Sequence, residues 1–277
     1  MIDYDGTQRA TRSVDGLRAL RGQVAVITGA AGIIGQAIAR LFVEVGAQVV
    51  LGDRRYQALN ALASELGERT VAVECDVTDP EQVARLVRLA HEQWSRIDVL
   101  VNVAGLIHFD DILEVSLETW RKVFAVNVEA ALTASQHAAV IMSTQDVRTE
   151  TDRRGSIVHI GSQGAEFPSP SSLAYGASKT ALNYLSRNFA SALEDRAISS
   201  TVVYPGMIYD GMWQQIVAKR ALAEGKSLEK LADVHLAESP TGQFQEPLDL
   251  AKIILYVASI RGMALSGRIV WSEAHQE

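Results

Sequence analysis

The chain has 277 residues, 48% of them hydrophobic, enough to build one large core. A formal net charge of −7 leaves no basic face to hold a nucleic acid or an anionic membrane surface. Cys75 is the single cysteine, so an intrachain disulfide and a multi-cysteine metal site are excluded, and a reducing cytoplasm is the expected location. Residues 1–21 carry arginines and acids but no apolar stretch, which reads as a flexible or surface-lying arm ahead of one domain over 22–277. No apolar run approaches the ~18–20 residues that a membrane-spanning helix needs.

From Gln23 onward, short β-branched runs alternate with longer helical patterns. This alternation predicts βαβ units feeding one doubly wound parallel sheet, an α/β fold with helices on both faces. The runs are "VAVIT", "AQVVLGD", "TVAVECD", "IDVLVNVAG", "GSIVHIGS" and "SSTVVYPG". Helices are expected over 56–66, 81–94, 117–144, 173–195 and 247–259, with another after the first strand closed by Gly46. The charged, apolar-poor stretch 144–155 reads as a solvated loop. Residues 206–242 contain Met207, Met212 and Trp213 but no strand signal. An excursion of this length at a strand's carboxyl end predicts a substrate lid.

Each strand ends in a polar or glycine-containing turn, and ligands of open parallel sheets bind outside those ends. "TGAAGIIG" puts Gly29, Gly32 and Gly35 in the first strand-to-helix turn. Glycines there let the backbone approach a pyrophosphate and aim free N–H groups at it. Asp53 ends the second strand, where an acid can accept hydrogen bonds from an adenosine ribose. In "YGASK", Tyr175 and Lys179 stand four positions apart, one turn apart on the same helix face. A phenol serves as a base near neutral pH only if its pKa falls by ~2–3 from ~10, about 3–4 kcal/mol. An ammonium ~4 Å away at an effective dielectric near 20 supplies up to ~4 kcal/mol. One well-placed lysine is therefore about sufficient. His108 follows the "NVAG" turn and reads as a surface-loop residue, with a reach into the pocket as the alternative, and Glu166 and Phe167 follow Ser162. No His, Asp or Glu spacing matches a catalytic metal site.

Together these motifs resemble the short-chain dehydrogenase/reductase superfamily, in order and spacing from about Gly22 to Val270. The glycine motif has its middle glycine one place early, with Ile33 where the common branch has glycine, a spacing that resembles the extended branch. "CDVTD" supplies Asp76 and Val77 at the adenine, "NVAG" supplies Asn102, Ala104 and Gly105, "FAVNV" supplies Asn127, "HIGSQG" supplies Ser162, and "YPG" supplies Pro205 and Gly206 beside the nicotinamide. The resemblance implies a catalytic set of Asn127, Ser162, Tyr175 and Lys179. It further implies cofactor contacts from Ile34, Arg54 and Ile208, and from Tyr175 and Lys179 themselves. Asp210 stands where many relatives have threonine, and "SGRIVWSEAHQE" replaces the usual glycine-rich tail.

The function implied is NAD-dependent interconversion of a secondary alcohol, a polyol or vicinal diol, and a ketone. NADP is the less favoured cofactor, beside Asp53. The alternatives are a related enzyme acting on a cyclic alcohol, dihydrodiol or ketone of secondary metabolism, and a non-catalytic NAD-binding sensor on the same fold. A homo-oligomer, tetramer or dimer, is implied, with no nucleic-acid or membrane partner.

Overall fold

The buried β-branched runs form strands β1 (Val24–Thr28), β2 (Gln48–Asp53), β3 (Thr70–Glu74), β4 (Val99–Asn102), β5 (Gly155–Ile160), β6 (Ile198–Tyr204) and β7 (Ile269–Trp271). The structure is a computed structural model that describes residues 19–208 and 242–273, with positions 218, 221, 225 and 227. Among the described residues the strands make one seven-stranded sheet in the order β3-β2-β1-β4-β5-β6-β7, parallel throughout. Strand order reverses between β1 and β4, which opens a crevice at the carboxyl ends of these two strands.

Strand periodicity dictates the layers. Ala25 and Ile27 of β1 pack with Ile38 and Phe42 of α1 (Ile33–Glu44) and with Leu250 and Ile254 of α7 (Pro247–Ser259). Val24 and Val26 point the other way, onto Val83 and Val87 of α3 (Pro80–Trp94) and Ala134 and Met142 of α5 (Ala130–Thr144). Burial of each large aliphatic side chain contributes ~1.5–3 kcal/mol, so both faces need helical cover. Two further helices, α2 (Tyr56–Leu66) and α6 (Leu173–Ala192), match the expected positions, although α6 ends three residues early and is followed by a 3₁₀ turn at Glu194–Arg196.

The structure differs from the sequence reading in four places. The helix expected over 117–144 is α4 (Leu117–Phe124) and α5 joined by a π turn, Ala125–Glu129, centred on Asn127. The stretch 144–155 is not simply solvated. Arg148 pairs with buried Asp98 at 2.6 Å, and Arg153 is 3% exposed, donating to Ser199 Oγ and to the carbonyls of Val257 and Ala258. The carboxyl end of α7 thus supplies acceptors for this guanidinium, which burial lowers to about 10. Leu20, read as part of the arm, is fully buried against the α1 face of the sheet. Finally, β7 adds a strand beyond the six expected, pairing with β6 through Val202, Val203 and Tyr204.

Residues 1–18 of the predicted arm lie outside the described residues. So does most of the predicted lid, including Asp210, Met212 and Trp213. No helix among the described residues is long and apolar enough to cross a membrane.

Candidate active site

The crevice between β1 and β4 is built from backbone. After Thr28 the chain turns at Gly29 with φ +66°, and a Cβ there would stand 2.7 Å from the Ala104 nitrogen. A Cβ on Gly35 would stand 2.5 Å from the Gly29 oxygen, so glycine lets α1 press directly on the turn. Gly32 caps α1 with no side-chain hydrogen bond, and the first turn of α1 holds no acid. By contrast, the amino end of α3 is closed by Asp79, whose carboxylate accepts from the N–H groups of Glu81 and Gln82. The open end of α1 therefore keeps donors and positive dipole for an anion. The glycine cradle fits the pyrophosphate of a dinucleotide.

Asp53 ends β2 at the same crevice and is 7% exposed. Its Oδ2 accepts from the Ala31 N–H at 3.1 Å, and its Oδ1 accepts from the N–H of Arg55 at 2.9 Å and from Arg55 Nε at 3.3 Å. A cavity of about 450 Å³ extends from there, lined by Gly29, Gly32, Ile34, Asp53, Arg54, Asp76, Val77, Ala104 and Gly105, all expected from the sequence. Ile33, Arg55, Cys75, Thr78, Val103, Leu106, Lys122 and Val126 also line it. Of these, Lys122 and Val126 lie on the α4–π segment, one turn apart, and only their helical register with Asn127 could have pointed to them. Burial, with Asp76 nearby, pushes the Cys75 thiol up to about 11, so it faces the cavity protonated. Hydrogen bonds from the Thr78 backbone and side chain hold Asp76 low and ionised.

Asn102 does not line the cavity. It is buried in β4, where its Nδ2 donates to Ser135 Oγ at 3.3 Å and lies 3.2 Å from His159 Nδ1. Gly35 sits behind the turn, and Ile208 is buried in the core beside α7. Pro205 and Gly206 follow β6 at the same edge of the sheet, outside the cavity lining.

Of the four residues that the resemblance implies as a catalytic set, Asn127 and Lys179 lie beside Gly105. A Cβ on Gly105 would be 3.7 Å from both Asn127 Oδ1 and Lys179 Nζ. Asn127 grips the loop after β4: its Oδ1 accepts from the Leu106 N–H at 2.7 Å, and its Nδ2 donates to the Leu106 carbonyl at 2.9 Å and to Ser178 Oγ at 2.9 Å. Ser178 in turn donates to the Tyr175 carbonyl at 2.7 Å. Lys179 is 4% exposed, donates to the Ile160 carbonyl at 2.7 Å, and sits 5.7 Å from the centre of the Tyr175 ring. Burial lowers its ammonium to about 8. Ser162 caps a 3₁₀ turn, Gln163–Ala165, with its Oγ accepting from the Gly164 N–H. A Cβ on Gly164 would be 3.4 Å from Ser162 Oγ and 3.6 Å from Tyr175 Cε1. Both the Ser162 hydroxyl and the edge of the Tyr175 ring therefore stand against Gly164.

His159, one residue before Ile160, is driven down to about 3 by burial and by the Lys179 charge, so it is neutral within the sheet. Glu166 accepts from the Tyr204 hydroxyl at 3.0 Å, and that hydroxyl also accepts from Asn183 Nδ2. His108 lies on the surface with its Nδ1 2.9 Å from Asp110 Oδ2. Among the described residues no group of three or more His, Cys, Asp or Glu could hold a metal ion.

A model of the short chain dehydrogenase family matches residues 23–221. The chain is 30% identical over 254 residues to the 3-oxoacyl-acyl-carrier-protein reductase FabG of Thermotoga maritima, covering 91% of this chain and 96% of that protein. It is 32% identical to a galactitol 2-dehydrogenase of Cereibacter sphaeroides, covering 91% and 93%. Among solved structures, a variant of actinorhodin polyketide ketoreductase with NADPH superposes with a TM-score of 0.82 at 25% identity, covering 90% of this chain and 95% of that one. Sequence likeness along nearly the whole span and the shared fold agree, and the chain belongs to the short-chain dehydrogenases, enzymes that act on a CH–OH group with a nicotinamide cofactor.

Proposed function

We propose that this enzyme interconverts a secondary alcohol of a polyol or vicinal diol and the corresponding ketone, with NAD(H) and with Tyr175 as general acid/base. The carrying observation is that Ser162 Oγ and the Tyr175 ring both stand against Gly164, with the buried Lys179 ammonium 5.7 Å from the centre of that ring. Relatives named galactitol 2-dehydrogenase and sorbitol dehydrogenase, at about 30% identity, support the alcohol class.

When bound, the nicotinamide accepts hydride from the carbinol carbon or returns it to the carbonyl. Ser162 Oγ orients the substrate oxygen by hydrogen bonding. The Tyr175 phenolate takes the hydroxyl proton in oxidation, and the phenol gives it back in reduction. The Lys179 charge stabilises the phenolate, while Asn127 fixes the Leu106 backbone and so the loop that carries Gly105. Pro205 and Gly206 would border the nicotinamide in this reading.

NAD is the cofactor in this reading because a phosphate on the adenosine ribose would face the Asp53 carboxylate. Like charges ~4 Å apart cost on the order of 1–4 kcal/mol. Arg54, Arg55 and Lys122 line the same cavity and oppose that preference. A second reading, a ketone or cyclic alcohol of secondary metabolism, draws on the likeness to the polyketide ketoreductase. A dinucleotide fluorescence assay across polyols, vicinal diols, cyclic alcohols and their ketones separates the two. Turnover confined to cyclic ketones contradicts the first reading.

A further inference from the structure

The tail beyond β7 folds back over the turn that follows β6. The Gly206 N–H donates to Gln245 Oε1 at 2.8 Å and to Ser272 Oγ at 3.0 Å, and Ser272 Oγ donates to Gln245 Oε1 at 2.9 Å. The Ser272 N–H donates to the Tyr204 carbonyl at 3.0 Å. This knot presses the Glu273 carboxylate onto Gly206, leaving no room for a Cβ there. Glu273 Oε2 is buried and has no hydrogen-bond partner.

An orphaned carboxylate oxygen is costly, since its desolvation is not offset by any donor. Among the described residues, the donors at the Gly206 turn are already committed: the Gly206 N–H to Gln245 and Ser272, and the Gln245 amide to the Ser272 carbonyl. Burial accordingly pushes the Glu273 carboxyl up from its ordinary value. A donor brought by a ligand is the chemistry that completes this site. The location agrees. The turn lies at the carboxyl edge of the sheet, where ligands bind. The Tyr204 ring, two residues before Gly206, packs against Gly161 next to Ser162, and a Cβ on Gly161 would be 2.5 Å from it. Trp271 meets Tyr204 edge-on at 4.8 Å and Phe167 at 6.5 Å, forming an aromatic wall between the Ser162 loop and the tail.

We infer that Glu273 is a specificity-determining residue whose carboxylate accepts a hydrogen bond from a substrate hydroxyl other than the one being oxidised. This rests on the alcohol reading above and deepens it: the enzyme selects polyhydroxylated substrates over mono-alcohols of the same carbon frame. A hydroxyl lacking this partner forfeits a charge-assisted bond, which corresponds to about 10- to 100-fold in affinity.

The test compares cyclohexanol with vicinal cyclohexanediol, alike in ring but different by one hydroxyl. Binding to the dinucleotide-loaded protein is followed by intrinsic tryptophan fluorescence, and turnover by dinucleotide reduction, in wild type, Glu273→Leu and Glu273→Gln. The inference expects wild type to prefer the diol about tenfold or more. It expects Glu273→Leu to lose that preference while cyclohexanol binding stays within about threefold, and Glu273→Gln, which keeps an acceptor oxygen, to recover part of it. A diol preference that survives in Glu273→Leu overturns the inference, as does an equal loss for both alcohols or the absence of any preference in wild type. Diol binding that depends on Glu273 without turnover of any alcohol sinks the alcohol reading and leaves the Glu273 assignment standing. Turnover with an unchanged diol ratio does the reverse.

Discussion

Lys179 carries two opposed demands in one side chain. Its folded value of about 8 lies well below the ordinary 10.5, a preference for the neutral amine of ~3 kcal/mol at ~1.36 kcal/mol per pKa unit. Between pH 8 and 10.5 the unfolded chain binds more protons than the folded one, so this group makes stability rise with pH across that window. Below it the full cost of the buried charge applies. Lys179→Met is therefore expected to raise the melting temperature by roughly a few degrees at pH 7, with the gain shrinking towards pH 10. The same variant should lose turnover and bind dinucleotide more weakly, because the ammonium is assigned both to the phenolate and to a cofactor contact. Thermal melts at both pH values and a fluorescence titration check this, and an unchanged affinity contradicts the cofactor contact. Asp53 invites a second comparison. Wild type should favour NAD over NADP by about tenfold or more in kcat/KM, and Asp53→Ala should narrow the ratio by removing the like-charge penalty. A wild-type preference for NADP would show that Arg54, Arg55 and Lys122 prevail.

At the scale of elements, the π turn between α4 and α5 decides whether the loop after β4 is held. Asn127 satisfies both polar groups of Leu106 from a buried position. Asn127→Ala strands two backbone groups and is expected to cost about 2–4 kcal/mol in urea unfolding, with weaker dinucleotide binding as the loop loosens. Wild-type stability in that variant would show the grip to be unimportant. Most elements were legible in the sequence because buried parallel strands are runs of apolar residues bounded by turns, as "VAVIT" and "GSIVHIGS" are. The π turn was not, since a local widening of the helix leaves the flanking apolar pattern intact. Nor was β7, whose three residues are too short a run to stand out. Arg153 misled for another reason: apart from Ser156, its acceptors come from β6 and the end of α7, 46 and more positions away. Within the site, Tyr175 and Lys179 were readable from their four-residue spacing. Glu273 was not, because only the fold of the tail onto Gly206 brings it there.

For the whole molecule, the flank formed by α4, α5 and α6 leaves Leu117 67%, Val140 66% and Tyr184 71% exposed. Apolar side chains so arranged on neighbouring helices suit a self-complementary two-fold contact. Light scattering should return a dimer or tetramer at working concentration, and a 30.1 kDa particle contradicts it. The central claim is narrower than the assembly: that Tyr175 moves the proton while the fold presents it to an alcohol beside a dinucleotide. The most direct measurement is dinucleotide reduction with a vicinal diol by wild type and Tyr175→Phe, alongside a titration of dinucleotide binding to each. The account predicts turnover in wild type, loss of about 100-fold or more in kcat for Tyr175→Phe, and dinucleotide affinity within a few-fold of wild type. Ordinary turnover by Tyr175→Phe would contradict it.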